Sequence, residues 1–153
     1  MPLRVTSLGV VLALSVAAAF ADPLTGEWRL NLQRTHYGGG AEPRKREVFT
    51  CQPDGDRLKC TIDSVRADGR TYLATFTASY DGKAHPVVGM AEVDQVTLRK
   101  LDEFIADATF SFKGKPVFGY RAIRSDDGRS LAVVSVDPTT RAVGSCVVVY
   151  DRK

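Results

Sequence analysis

The chain has 153 residues and carries 21 Lys+Arg against 18 Asp+Glu, scattered along its length. So small and even a positive balance gives no electrostatic footing for nucleic acid or a membrane surface as partner. The length suits one domain, which buries roughly two-thirds of its surface and folds without staples.

The N-terminus has Arg4, then an apolar run from Leu8 to Phe20 broken only by glycine and serine, then Ala19-Phe20-Ala21 before Asp22. A short positive region, an apolar stretch and a small-x-small site form the pattern of a secretory signal peptide. The run is shorter than the roughly 18 residues expected of a spanning helix. The expectation is therefore a signal peptide over residues 1–21, cleaved near Ala21. The mature domain, residues 22–153, would be periplasmic or secreted, with no membrane span.

The mature chain opens on Thr25-Gly26-Glu27-Trp28-Arg29-Leu30-Asn31-Leu32, which holds the only tryptophan. It reads as a first strand, with Gly26 and Trp28 as structural residues and the indole closing one end of the fold. Gln33–Lys45 contains Gly38-Gly39-Gly40 and Pro43 and reads as a loop. Beyond it, short alternating segments rich in β-branched and aromatic residues predict strands. They lie at 46–52, 57–65, 70–80, 85–90, 94–101, 103–113, 116–124, 129–137 and 143–151. Four Asp-Gly pairs, at Asp54, Asp68, Asp81 and Asp127, punctuate them. Asp-Gly favours tight hairpin turns, because glycine accepts the positive φ such turns need.

Cys51 and Cys60 sit symmetrically about Gly55-Asp56. A two-residue turn there makes them a non-hydrogen-bonded pair, whose close Cα atoms suit a disulfide. Cys146 is then left over as a buried thiol.

Period two places Tyr72, Ala74, Phe76 and Ala78 on one face, and Phe104, Ala106, Ala108, Phe110 and Phe112 on another strand's matching face. Phe49, Phe118 and Tyr120 continue it. One apolar face per strand in a run of hairpins predicts an all-β, antiparallel up-and-down β-barrel of about 8–10 strands. A two-sheet sandwich is the alternative.

Gly26-x-Trp28 on a first strand resembles the opening signature of the lipocalin and fatty-acid-binding-protein (calycin) superfamily. The ending Val147-Val148-Val149-Tyr150-Asp151-Arg152-Lys153 resembles the closing strand of fatty-acid-binding proteins. Together with the Tyr80-Asp81-Gly82-Lys83 turn and the leader, the chain is similar to small exported bacterial lipocalin-like proteins of unassigned function. The resemblance implies a ligand-binding barrel. It departs from fatty-acid carriers in two places. Their helical lid is missing at residues 33–45, and Val148 replaces the arginine of their Arg-x-Tyr carboxylate pair, leaving Tyr150.

No catalytic set stands out, so no enzyme activity is expected. His36 and His85 lack further ligands at metal spacing, and the paired carboxylates near Asp54 and Asp126 belong to turns. No metal or cofactor is expected. The inner face remains, with two outcomes open. Large and small side chains fill it completely, or the alanines leave a lumen for one small apolar or amphipathic ligand. In the second case Phe49, Tyr72, Phe76, Phe104, Phe110, Phe118, Tyr120 and Tyr150 would bind it. In the first, the protein would act as a solid protein-binding or inhibitor-type barrel through its 33–45 loop.

Overall fold

The structure, a computed structural model, describes residues 22–153; the leader expected over residues 1–21 lies outside the described residues. Ten strands form: β1 (Gly26–Leu30), β2 (Arg44–Asp54), β3 (Arg57–Arg66), β4 (Thr71–Ala78), β5 (Ala84–Val88), β6 (Gln95–Lys100), β7 (Ile105–Phe112), β8 (Lys115–Arg124), β9 (Ser130–Val136) and β10 (Val143–Arg152). Each pairs antiparallel with its sequence neighbours, and β1 pairs with β10. The result is a closed, all-β, up-and-down barrel with no helix among the described residues. Closure pairs every strand edge, which a sandwich of the same strands would leave exposed.

The barrel has two distinct ends. β1 enters at one, together with the connections 55–56, 79–83, 101–104 and 125–129. The other end, the mouth, gathers the segments 31–43, 67–70, 89–94, 113–114 and 137–142.

At the entry end, the turn between Asp54 and Arg57 sets the β2–β3 register and places Cys51 opposite Cys60. They form a disulfide with Cα atoms 4.2 Å apart, and both are fully buried on the inward face. So short a loop limits its contribution to about 3 kcal/mol or less. Trp28 is also fully buried, and its indole N–H donates to the Leu24 carbonyl at 2.9 Å. The Arg152 guanidinium lies 5.3 Å from the ring centroid. Gly26 is required here: its φ is +145°, and a Cβ would stand 3.2 Å from Trp28 Cε2. Residues 22–25 therefore cross the barrel end from β1 toward β4, where the Tyr80 hydroxyl donates to Asp22 at 2.9 Å.

The mouth is where strand regularity breaks. Register shifts fall between Arg44 and Arg46, between Phe110 and Ser111, and between Val143 and Val147, all near the mouth ends of their strands. A bulge turns the following side chains relative to the period-two pattern. Phe112, which alternation places inside, is the last residue of β7 at the mouth, past the extra residue Val117 of β8, and is 38% exposed with the Lys113 ammonium over its ring.

The long connection after β1 does not remain a free loop. Asn31 N–H donates to the Val149 carbonyl, and the chain returns to bridge His36 with Val147. It ends earlier than the sequence suggests, because Arg44 and Lys45 join β2. Gly38 packs so close to β10 that a Cβ there would stand 2.8 Å from the Ser145 carbonyl oxygen.

Candidate functional site

The barrel interior is not solid. A cavity of about 110 Å³ runs from Leu24 at the entry end toward Arg44, Tyr72 and Met90 near the mouth. It continues into a mouth cleft of about 570 Å³, and Arg44, Tyr72, Met90, Phe118, Tyr120 and Val148 line both. The space follows from residue size. Ala106 and Ala108 on β7 and Ala122 on β8 put methyl groups where neighbouring positions carry aromatic rings.

Seven of the eight residues expected on the ligand face line this cavity: Phe49, Tyr72, Phe76, Phe110, Phe118, Tyr120 and Tyr150. The rings meet edge to face. Phe76 and Phe110 centroids are 6.1 Å apart, and Phe110 and Tyr120 are 6.0 Å apart. Phe104 does not join them. The strand starts two residues later than alternation implied, because Asp102 Oδ1 accepts the backbone N–H groups of Phe104 and Ile105 and turns the chain. Phe104 sits in that turn under the Arg124 guanidinium, 5.5 Å from its centroid.

The polar part of the site comes from β2. Glu47 is 3% exposed and shares the inward face with Phe49 and Cys51. Its carboxylate accepts hydrogen bonds from the Tyr150 hydroxyl and, at 3.2 Å, from the Tyr72 hydroxyl. Arg44 Nε lies 3.0 Å from Glu47 Oε2. Regular alternation would turn Lys45 inward next. The bulge before Arg46 turns Arg44 inward instead.

The protonation of this cluster follows from its surroundings. Burial alone would lower the Arg44 pKa, but the adjacent Glu47 carboxylate and the surrounding tyrosines together outweigh it and hold the guanidinium firmly charged. Burial raises the Tyr150 phenol well above its ordinary range, and the Glu47 negative charge raises it further. Tyr72 is raised for the same two reasons. Burial also raises Tyr120, with Arg44 opposing it. All three phenols are neutral donors at ordinary pH.

Other expected features lie elsewhere. Cys146 is a free, buried thiol lining the mouth cleft. His36 bridges β10, and His85 Nε2 lies 3.0 Å from Asp81 Oδ1 at the entry end of the barrel. Of the charged residues in the 33–45 segment, Arg44 turns inward and Arg34 pairs with Asp151 at 3.0 Å. On the outer wall, Arg121 and Arg141 flank Asp107 and hold its carboxyl below the usual carboxylate range despite its burial. That pair ties the 137–142 connection to β7. Among the described residues, no three His, Cys, Asp or Glu side chains are placed to hold a metal ion.

Arg44 and Glu47 are the site residues that sequence reasoning missed. Parity with Phe49 and Cys51 is a sufficient signal for Glu47; nothing in the sequence marks the bulge that brings in Arg44. In comparisons with known proteins, no family model, curated protein or solved structure matches the chain.

Proposed function

We propose that this barrel is an exported, non-enzymatic binding protein for a small amphipathic molecule. The ligand's apolar part occupies the aromatic cavity, and its polar end meets Arg44 and the tyrosines near the mouth. One observation carries the reading. An apolar cavity opens to the surface, and the partly buried Arg44, paired with the buried Glu47, stands where the cavity meets the mouth cleft. A volume of about 110 Å³ is comparable with a ~150 Å³ protein cavity that takes up benzene, and the mouth cleft gives room for a longer ligand. Likeness to lipocalin and fatty-acid-binding barrels supports the same use of the interior. The Cys51–Cys60 disulfide supports an oxidising, extracytoplasmic location, in keeping with the leader-like N-terminus.

Burial of ligand surface at roughly 25 cal/mol per Å² of apolar area drives such binding. The test is titration with N-phenyl-1-naphthylamine, a neutral apolar fluorophore. The expected result is saturable binding to the wild-type protein and its loss in Ala108→Phe, which fills the cavity while the barrel's circular dichroism is unchanged. No saturable binding by folded wild-type protein, or full binding by the filled variant, would overturn the reading.

A further inference from the structure

The hydrogen-bond arrangement around Glu47 restricts the chemistry of the ligand's polar end. Both carboxylate oxygens are already engaged: one accepts a hydrogen bond from Tyr150, and the other accepts one from Tyr72 and pairs with Arg44 Nε at 3.0 Å. The Tyr72 and Tyr150 hydroxyl protons are therefore committed. The strongest groups left unused are the N–H donors of Arg44, while the Tyr72 and Tyr150 oxygens keep only weakly accepting lone pairs. The Arg44 guanidinium has Glu47 at its Nε and the Tyr120 hydroxyl as a second neighbour, which leaves most of its terminal N–H groups without a protein acceptor. The Tyr120 hydroxyl stands beside this guanidinium and is not bonded to Glu47. A ligand that engages Arg44 brings an oxygen acceptor.

The charge balance then decides which acceptor. The Arg44 positive charge is already matched by Glu47, which is 3% exposed and cannot be screened by water. A carboxylate arriving at Arg44 adds a second anion a few ångströms from Glu47, in a setting where like charges repel strongly. A carbonyl accepts the same N–H donors without that repulsion.

Resting on the binding reading above, we propose that the site selects neutral carbonyl-ended amphipaths and discriminates against the corresponding carboxylates, with Glu47 as the residue that sets the preference. Arg44 supplies the hydrogen bonds. Glu47 positions Arg44 and cancels the long-range pull on anions. This is the opposite use of a buried arginine from carboxylate capture, where the cation is left uncompensated.

The experiment displaces N-phenyl-1-naphthylamine with 2-octanone and with octanoate, in the wild-type protein and in Glu47→Gln. In the wild type, 2-octanone is expected to displace the probe at the lower concentration. On Glu47→Gln, octanoate should gain affinity relative to 2-octanone by about tenfold or more, because the second anion is gone and Arg44 is left unmatched. The change in the ratio is the readout, so the different solubilities of the two compounds cancel. Should Glu47→Gln fail to fold, Glu47→Met supplies a second neutral background with the same expectation. An octanoate-to-ketone ratio unchanged by either neutral variant overturns the selectivity while the binding reading stands. Absence of saturable probe binding by the wild type overturns both.

Discussion

Replacing Trp28 tests how the entry end is held. The ring is fully buried, so Trp28→Ala removes an aromatic side chain of roughly 150–250 Å² from the core. At about 25 cal/mol per Å² this is at most about 4–6 kcal/mol, and large aromatic-to-alanine changes in cores cost about 3–5 kcal/mol. The surroundings cannot collapse to recover it. Gly26 is pinned against the ring by its positive φ, and the facing Cys51 and Cys60 are fixed by their disulfide. The change also orphans the Leu24 carbonyl, which accepts the indole N–H, and frees the segment that forms the cavity floor. Trp28→Phe keeps most of the bulk and loses the hydrogen bond, for about 1–2 kcal/mol. Equilibrium urea unfolding followed by far-UV circular dichroism measures both, since the only tryptophan is the one removed. A loss under 1 kcal/mol for Trp28→Ala would mean that the ring does not hold this end and that residues 22–25 are anchored by other contacts.

Glu47→Ala strands the Arg44 guanidinium and leaves the Tyr72 and Tyr150 hydroxyls without their acceptor, so about 3 kcal/mol should be lost in urea unfolding. The double variant Arg44→Met/Glu47→Leu should recover most of that loss, and equal destabilisation by the two would refute the coupling. Tyr72, Tyr80, Tyr120 and Tyr150 all have phenols raised chiefly by burial, Tyr80 also by Asp22. Their folded values exceed the unfolded value near 10, so their stabilisation is complete below about pH 10 and is lost as pH rises through the folded values. The urea midpoint should fall above that pH, with phenolate absorbance at 295 nm from these four appearing together with unfolding; early, non-cooperative ionisation while the fold is intact would contradict their burial.

The barrel was legible because its signals are local and repeat. Asp-Gly at Asp54, Asp68, Asp81 and Asp127 fixes hairpin positions, and each hairpin fixes the parity of two strands. The Cys51–Cys60 pairing followed from one such turn. Alternation failed where strands end or bulge. Phe104 and Phe112 share parity with Phe110, but one lies before the first ladder pair of β7 and the other is its last residue, past the bulge in β8. Strand ends depend on competition between the ladder and local acceptors such as Asp102, which period two does not register. The polar half of the site was hidden for a different reason. A run of Arg44-Lys45-Arg46-Glu47 looks like a solvated face, and only its continuation into Phe49 and Cys51 shows that one of these charges must point inward.

That inward charge is informative because stability does not require it. Burying an ion pair costs desolvation that its attraction rarely repays, and well-packed apolar residues of similar volume usually serve as well or better. Elsewhere the interior is built that way, from Trp28, Leu98, Leu131, Val96 and the disulfide. At the cavity's upper end the chain departs from it twice: it bulges β2 to aim Arg44 inward, and it places Glu47 beside it with two tyrosines as donors. Neither departure helps closure, because the β2–β3 and β1–β2 ladders are already complete below the bulge. On the binding reading proposed above, a polar group at the boundary between an apolar cavity and the mouth cleft suits a ligand that is itself divided in that way, and the arrangement would leave that ligand donors from Arg44 while withholding net charge. The cavity's size sets how much apolar surface can enter; the Arg44–Glu47 pair sets what can remain at its edge.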